Sequence, residues 1–163
     1  MVDGANEDDW RPWPSDWPAR KAGGGCQLCE FLSTEDPDWG VRIYTGRAAN
    51  GYLSVRGQIP GYCWVIWRGD HVCEPTEVPE VSALDFFADL LAVGRAVTTL
   101  FQPAKVNYAV FGNNVPHLHG HVIPRPNLDP DPRGALAWTY LDDGRQPADR
   151  VQQSAAALEH LLS

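Results

Sequence analysis

The sequence predicts a single α+β domain in which an antiparallel sheet of about five strands packs against helices. Three observations support this prediction. The chain has 163 residues, much of it has the composition of short strands, and one long segment has the apolar period of a helix. A weaker helical pattern near the C-terminus completes the expected order of strands, one long crossing helix and a C-terminal helix.

Residues 1–25 are predicted to be a flexible lead-in, and residues 26–163 are predicted to form the domain with its C-terminal loop and helix. The lead-in is rich in proline and ends in three consecutive glycines. Because no Gly-Lys-Ser/Thr follows these glycines, we interpret the segment as a linker and not as a phosphate-binding loop. It carries three tryptophans, Trp10, Trp13 and Trp17.

Five segments have the composition of strands. The first two, 39–47 and 52–56, flank Asn50-Gly51, a dipeptide favoured in tight hairpin turns because both residues tolerate positive φ. The fully apolar run 62–67 predicts a buried central strand. Two further strands are predicted over residues 106–112 and 117–124.

One segment, 76–101, predicts a long helix, because its apolar residues recur at helical spacing and Pro103 follows its end. Glu77 and Glu80 lie near its N-terminus, where the helix dipole favours anions. Residues 149–162 predict the weaker C-terminal helix, and the proline-rich stretch before them predicts a loop.

Composition excludes several classes of function. The chain is 44% hydrophobic and 21% charged, which is typical of globular proteins. It has neither an apolar run long enough for a bilayer nor the N-terminal pattern of a secretory signal, so we predict a cytoplasmic protein without a membrane partner. The formal net charge of −8 argues against nucleic-acid binding, which requires a basic surface.

Three histidines alternate along the last predicted strand. Because successive side chains of a strand point to opposite faces, His117, His119 and His121 are predicted to share one face at intervals of about 6–7 Å. A three-histidine zinc site would use a metal-bound water, whereas a nucleophilic imidazole would attack phosphorus directly. The outer two histidines are roughly 13 Å apart at the backbone, which favours the nucleophile.

Cys26 and Cys29 form a Cys-x-x-Cys pair, and the chain has four cysteines in all. Such a pair is half of a zinc knuckle, but it also occurs as a redox motif or by chance. The sequence lacks the βαβ setting of a thioredoxin-like motif. A reducing compartment and a metal suit these cysteines better than disulfides.

The run His117-Leu-His-Gly-His-Val-Ile, preceded by Gly112-Asn-Asn-Val-Pro and followed by Pro124-Arg125, resembles the histidine triad (HIT) family. Within this family it looks like bacterial proteins of the diadenosine tetraphosphate hydrolase type, over roughly residues 26–125. The resemblance implies a HIT-like fold and a homodimer formed through the sheet and long helix. It also implies a hydrolase or nucleotidyl transferase that cleaves nucleoside phosphate esters, anhydrides or phosphoramidates at the α-phosphate. The alternative is a nucleotide-binding module with little turnover.

The resemblance also implies a role for individual residues. His119 would be the nucleophile that forms a nucleotidyl-histidine intermediate, and His121 would contact the same phosphate and assist departure of the leaving group. Asn107, Asn114 and His117 would bind substrate. A neutral imidazole can act as the nucleophile at neutral pH if its second nitrogen donates to a backbone carbonyl.

The resemblance implies a structural zinc site as well. Cys26 and Cys29 would be completed by His71 and by His117, the first histidine of the triad, with Cys73 as a rival to His71. A Cys₂His₂ site is closed and structural. His117 would then leave the chemistry to the other two triad histidines.

The chain departs from the family at two places. Gly120 stands where relatives often carry a bulky side chain, commonly Trp, so we expect the strand to lack packing there. The acidic residue that contacts ribose has no clear match, and only Ser54 or Arg56 lies in the corresponding stretch. Trp64 and Trp67 are expected in the core and not in a base-stacking platform.

Overall fold

A computed structural model describes residues 11–163 and has the predicted α+β architecture. Residues 1–10, including Trp10 of the predicted lead-in, lie outside the described part of the chain. Five strands form one sheet: β1 (Gly40–Thr45), β2 (Ala49–Ser54), β3 (Cys63–Trp67), β4 (Lys105–Ala109) and β5 (His119–Arg125). Neighbouring strands are antiparallel in the order β1-β2-β3-β5-β4.

The described residues also form five α-helices: α1 (Trp17–Lys21), α2 (Gln27–Thr34), α3 (Glu80–Phe101), α4 (Thr139–Asp142) and α5 (Ala148–Leu162). The long helix begins later than predicted, because a 3₁₀ turn over Pro75–Glu77 precedes it. The Glu77 carboxylate accepts hydrogen bonds from the backbone N–H groups of Cys73 and Glu74 and so caps this turn. Within residues 11–163, no helix combines the length and apolar character that a membrane span requires.

The two faces of the sheet carry different layers. Helices α3 and α5 cover one face, and the main apolar core lies between them and the sheet. Residues of α2 and α4 pack in smaller clusters with strand residues of the other face. Side chains of β5 alternate between the faces, so Gly120 and Val122 face α3 while His119 and His121 face the opposite side.

The predicted hairpin turn at Asn50-Gly51 is wrong. Both residues lie within β2 and pair with β1, and the turn falls at residues 46–48. Asp89, a buried residue of α3, determines this position, because its carboxylate accepts hydrogen bonds from the backbone N–H groups of residues 47–49 at 2.8–3.1 Å. Gly51 is needed for a different reason, since a Cβ there would lie 2.8 Å from a methyl group of Val93 on α3.

Three helices, α1, α2 and α4, lie where the sequence predicts none, and α1 falls within the segment predicted to be a flexible lead-in. Helix α2 begins at a thiol cap, because Sγ of Cys26 accepts a hydrogen bond from the backbone N–H of Cys29. Its apolar residues Leu28 and Phe31 then pack on the sheet. Cysteine is not among the usual capping residues, so the sequence gives no start signal here.

Gly120 does not leave the strand without packing, contrary to the expectation from the sequence. The position faces α3, and a Cβ there would lie 2.8 Å from Cδ1 of Leu90. Leu90 therefore occupies the space that a larger side chain at position 120 would need. Because this side of the sheet is the helix side, Gly120 does not alter the face that carries His119 and His121.

Candidate active site and metal centre

A cavity of about 460 Å³ opens on the face of the sheet opposite α3. We call it the histidine cavity because His119 and His121 form part of its wall. Its size lies within the range of small-molecule pockets. The lining also includes a set of aromatic and polar residues: Trp39, Tyr62, Trp64, Phe111, Asn113, Asn114, Trp138 and Asp142.

His119 has the hydrogen bond that the sequence predicts for a nucleophile. Its Nδ1 lies 2.5 Å from the carbonyl oxygen of His117. Because a carbonyl only accepts, Nδ1 must carry the proton, and the lone pair of the neutral ring is then on Nε2. Burial lowers the pKa of His119, and the bond to the carbonyl opposes this shift. The ring is therefore neutral at pH 7 and able to attack an electrophile.

His121 lies beside His119, with ring centroids 4.9 Å apart. Its Nδ1 is 2.7 Å from the hydroxyl oxygen of Tyr62, which the sequence analysis did not identify as a site residue. Burial, with a smaller contribution from His119, lowers the pKa of His121 to about 3. Burial raises the pKa of Tyr62, so the phenol stays protonated and can donate to the neutral imidazole.

His117 is separated from the other two triad histidines. It precedes β5, which begins at His119 and not at residue 117 as predicted, and its side chain is buried. It does not line the histidine cavity. Instead, its Nδ1 lies 3.5 Å from Sγ of Cys26 and 3.4 Å from Sγ of Cys29. The structure thus places His117 with the predicted metal ligands and away from the predicted substrate contacts.

Cys26, Cys29, His71 and His117 form a cluster that can hold a metal ion, with all four ligand atoms within 4.8 Å of one another. Tetrahedral zinc, with bonds of about 2.3 Å to sulfur and about 2.0 Å to nitrogen, separates these ligand atoms by about 3.5 Å. The three sulfur–nitrogen distances of 3.4–3.5 Å between the cysteines and histidines fit this geometry.

The outer hydrogen bonds of the cluster also fit a metal. Nε2 of His117 lies 2.8 Å from the carbonyl oxygen of Trp67, and Nε2 of His71 lies 3.2 Å from that of Lys21. Both histidines must therefore be protonated on Nε2, which leaves the Nδ1 lone pairs directed at the thiols. Burial, followed by interactions with Cys26, raises the pKa of Cys29 to about 11.

Cys73, the rival ligand, is not a member of the cluster. Its Sγ lies 3.2 Å from the carbonyl oxygen of Pro116 and 3.5 Å from that of Lys21. Both contacts require a thiol that donates, so Cys73 supports the surrounding backbone. Its position favours His71 over Cys73 as the fourth ligand.

The two asparagines predicted to bind substrate have different positions. Asn114 lines the histidine cavity, as does its neighbour Asn113, which the sequence analysis did not single out. Asn107 does not line this cavity. Its Oδ1 accepts a hydrogen bond from Arg125, which also forms a bidentate ion pair with Asp129 and so is held over β4.

Neither residue offered for ribose contact lines the histidine cavity. Ser54 is fully buried, and its hydroxyl donates to the carbonyl oxygen of Arg56. Arg56 stacks its guanidinium on the ring of Trp39, 5.1 Å from the centroid. Asp142, the one carboxylate among the described residues that line the histidine cavity, comes from the segment predicted to be a loop. Burial raises its pKa.

The aromatic residues that line the histidine cavity were not predicted from the sequence as site residues. Trp64, expected in the core, is partly exposed and lines the cavity. Phe111 and Trp138 place their rings 5.7 Å and 5.3 Å from the ring of His121. Both come from irregular segments on either side of β5, so no local pattern identifies them.

Comparison with known proteins identifies the family. A model described as HIT domain matches residues 41–128, which is more than half of the chain. "Protein hit" from Bacillus subtilis (strain 168) is 25% identical over 143 residues, covering 85% of this chain and 95% of that protein.

A bis(5'-adenosyl)-triphosphatase from Saccharomyces cerevisiae (strain YJM789) is 24% identical over 118 residues, covering 69% of this chain and 54% of that enzyme. The chain thus spans about half the length of the yeast relative. The crystal structure of a zinc-bound histidine triad family protein from Mycobacterium smegmatis has a TM-score of 0.62 and 26% identity, covering 84% of this chain and 92% of the other. These matches agree with the fold, and the chain belongs to the HIT family.

Proposed function

We propose that the protein is a hydrolase or nucleotidyl transferase that cleaves a nucleoside phosphate ester, anhydride or phosphoramidate at the α-phosphate. The hydrogen bond from Nδ1 of His119 to the carbonyl of His117 carries the proposal, because it leaves a lone pair on Nε2 in the wall of a nucleotide-sized cavity. The match to a bis(5'-adenosyl)-triphosphatase supports a dinucleoside polyphosphate as one substrate class.

The reaction has two steps. Nε2 of His119 attacks the α-phosphorus, forming an N–P bond as the bond to the leaving group breaks. A water molecule then attacks the same phosphorus, breaks the N–P bond and releases a nucleoside monophosphate. His121 contacts the phosphate and assists departure of the leaving group. Asn113, Asn114 and Val115 line the same cavity, so polar groups of this segment would stabilise charge on the phosphate oxygens.

The retained nucleoside would occupy the aromatic part of the cavity. Trp39, Trp64 and Trp138 offer rings for the base. Asp142 offers a carboxylate that can accept hydrogen bonds from both ribose hydroxyls. In this proposal Asp142 takes the role for which the sequence offered only Ser54 or Arg56.

We further propose that the Cys/His cluster binds zinc as a structural ion. Zinc would supply a cross-link between the start of α2, His71 and the residue that precedes β5. The cluster and His119 are connected through His117, whose carbonyl accepts the proton of Nδ1. The bound metal would therefore position the nucleophile without contacting the substrate.

A homodimer is also part of the proposal. Strand β4 lies at one edge of the sheet, and Tyr108 on it is 43% exposed. Its hydroxyl lies against Gly94 of α3, where a Cβ would collide with it. An exposed apolar stripe continues along α3 through Val81, Leu84, Phe87 and Leu91. An edge strand and an apolar helix stripe side by side form a self-complementary surface for a second copy of the chain.

A cytoplasmic location stays a prediction.

The central test is a search for the covalent intermediate. Wild-type protein mixed with adenosine 5′-phosphoramidate or diadenosine polyphosphates, and quenched in acid-free denaturant, should carry one adenylyl group on His119 by mass spectrometry. His119→Asn should lack the adduct and turnover but retain binding of AMP. The matched control is His160→Asn, a change at an exposed residue of α5, and it should behave as wild type.

An adduct and turnover that both survive in His119→Asn would overturn the proposed nucleophile. Binding of AMP without any adduct or turnover in the wild type would instead favour the nucleotide-binding module. Loss of turnover on chelation, with no adduct at any stage, would favour the three-histidine zinc hydrolase.

A further inference from the structure

A second cavity lies beside the histidine cavity. Its volume is about 340 Å³, and Trp13, Trp17, Lys21 and Glu74 form much of its wall. We call it the tryptophan cavity. The segment 111–113 lines both cavities, so the two cavities are neighbours on this side of the molecule.

The tryptophan cavity offers the groups that bind a nucleoside with its phosphates. The rings of Trp13 and Trp17 stack with centroids 4.6 Å apart and an angle of 23°. Trp13 is 58% exposed, so part of its ring is open to solvent. Open tryptophan rings bind bases by stacking without regard to sequence, and a lysine neutralises phosphate. The carboxylate of Glu74 can accept hydrogen bonds from ribose hydroxyls or from an amino group of a base.

Hydrogen bonds order the turn between the two tryptophans and join the end of α1 to the rest of the fold. The backbone N–H of Trp17 donates to the carbonyl oxygen of Pro14 at 2.9 Å, which closes the turn between the two tryptophans. At the other end of α1, the carbonyl oxygen of Lys21 accepts hydrogen bonds from Nε2 of His71 and from Sγ of Cys73. A site whose rings are already positioned loses less entropy when a ligand binds.

We propose that the tryptophan cavity binds the leaving group of a dinucleoside polyphosphate, with the second base stacked on Trp13 and the phosphates directed to Lys21. This inference rests on the proposed function and specifies its substrate class. With diadenosine tetraphosphate, attack by Nε2 of His119 forms the N–P bond and breaks the bond from the α-phosphorus to the bridging oxygen. ATP departs with that electron pair, and water then releases AMP from the histidine.

The test compares two substrates that transfer the same adenylyl group. Diadenosine tetraphosphate has a nucleotide as leaving group, whereas adenosine 5′-phosphoramidate releases only ammonia. Trp13→Ala should lower kcat/KM for diadenosine tetraphosphate about tenfold relative to the phosphoramidate, as loss of one base-stacking ring does in other proteins. Lys21→Gln keeps the backbone carbonyl that contacts His71 and should lower the same ratio in a salt-dependent manner. Leu128→Ala, at a side chain that is 93% exposed, is the control.

Each outcome has one meaning. An unchanged ratio in Trp13→Ala and Lys21→Gln, or an equal loss for both substrates, would overturn the leaving-group site while leaving the proposed function intact. If the wild-type protein forms no adduct with adenosine 5′-phosphoramidate, the proposed function itself is refuted. A change in oligomeric state on Trp13→Ala, measured by light scattering without any change in the ratio, would assign the tryptophans to an interface and also overturn the inference.

Discussion

Hydrogen bonds to the two Nδ1 atoms distinguish the histidines of the cavity. His119 donates from Nδ1 to a backbone carbonyl, so its free Nε2 has a lone pair. His121 has the Tyr62 hydroxyl at its Nδ1, and a donating phenol leaves the proton on Nε2. Neighbouring imidazoles of opposite tautomer can act as a nucleophile and as a hydrogen-bond donor to the leaving group. Burial keeps both rings neutral at pH 7.

Tyr62→Phe tests this assignment at the scale of one hydroxyl group. Without the phenol as donor, the proton of His121 can move from Nε2 to Nδ1. Nε2 then presents a lone pair to the leaving group, which needs a hydrogen-bond donor. We expect kcat to fall about tenfold, which corresponds to about 1.4 kcal/mol, with little change in KM. Steady-state kinetics with adenosine 5′-phosphoramidate measures both values, and ¹⁵N NMR of the imidazole reports the tautomer directly.

Tyr140→Phe is the matched control, because Tyr140 packs against the same apolar cluster as Tyr62. It should retain wild-type kcat. If Tyr62→Phe changes KM alone, or leaves the tautomer of His121 unchanged, Tyr62 does not position this histidine. Both variants should be assayed well below their melting temperatures, since an unpaired buried Nδ1 costs about 1–3 kcal/mol of stability.

At the scale of elements, the Cys/His cluster connects three segments that are distant in sequence. It joins the first turn of α2, the loop after β3 that carries His71, and the residue that leads into β5. The position of β5 therefore depends on the cluster at the end where His119 lies. Metal removal should loosen this end of the strand and lower activity, although no ligand atom lines the histidine cavity.

Chelation measures the contribution of the metal. If zinc is present at about 1,000 times its Kd, its binding adds about 4 kcal/mol to the free energy of unfolding. At about 2–4 °C per kcal/mol, removal of the zinc should lower Tm by roughly 8–16 °C. Zinc should restore both Tm and turnover. Calorimetry and metal analysis of the purified protein provide the measurements. Full stability and full turnover after complete chelation would refute a structural metal.

The same experiment has a matched pair of thiol variants. Cys29→Ser removes a proposed ligand and should lower the zinc content, whereas Cys73→Ser changes a buried thiol outside the cluster and should keep it. Equal zinc loss in the two variants would assign Cys73 to the site. Retention of zinc in Cys29→Ser would exclude the proposed ligand set.

Local patterns predicted the elements whose packing follows from their own sequence. The apolar period of α3 and the strand composition of β3 were sufficient to predict these two elements. A segment that is apolar on one face or throughout has few ways to be buried. The turn near Asn50-Gly51 was not predictable in this way. Its position depends on Asp89, about 40 residues away, whose carboxylate pairs with three backbone N–H groups of the turn.

The site was predictable only where a motif is contiguous. His119 and His121 follow from the alternation of one strand, and the Cys-x-x-Cys pair indicates a metal. Tyr62 is 59 residues from His121 and meets it only through the pairing of β3 with β5. Asp142 reaches the cavity from a short helix in a proline-rich stretch, where composition predicts only a loop.

At the scale of the molecule, the proposed substrate site and the proposed dimer interface lie on opposite sides of the sheet. The face covered by α3 contains the main core, and its outer side has the exposed stripe that ends at Tyr108. The opposite face holds the histidine cavity. The net charge of −8 gives no general attraction for a phosphate. Binding of an anion must therefore depend on local groups in the cavities.

The exposed stripe predicts the oligomeric state. Light scattering and sedimentation equilibrium should give a mass of twice the 18.0 kDa chain. Leu84→Glu places a charge on the outer side of α3 at a side chain that is 63% exposed, so the isolated fold should tolerate it while a buried interface should not. We expect this variant to be a monomer. Leu128→Glu, at a fully exposed loop position, should remain a dimer. A wild-type monomer, or two variants of equal mass, would refute the proposed interface and direct attention to another surface of the molecule.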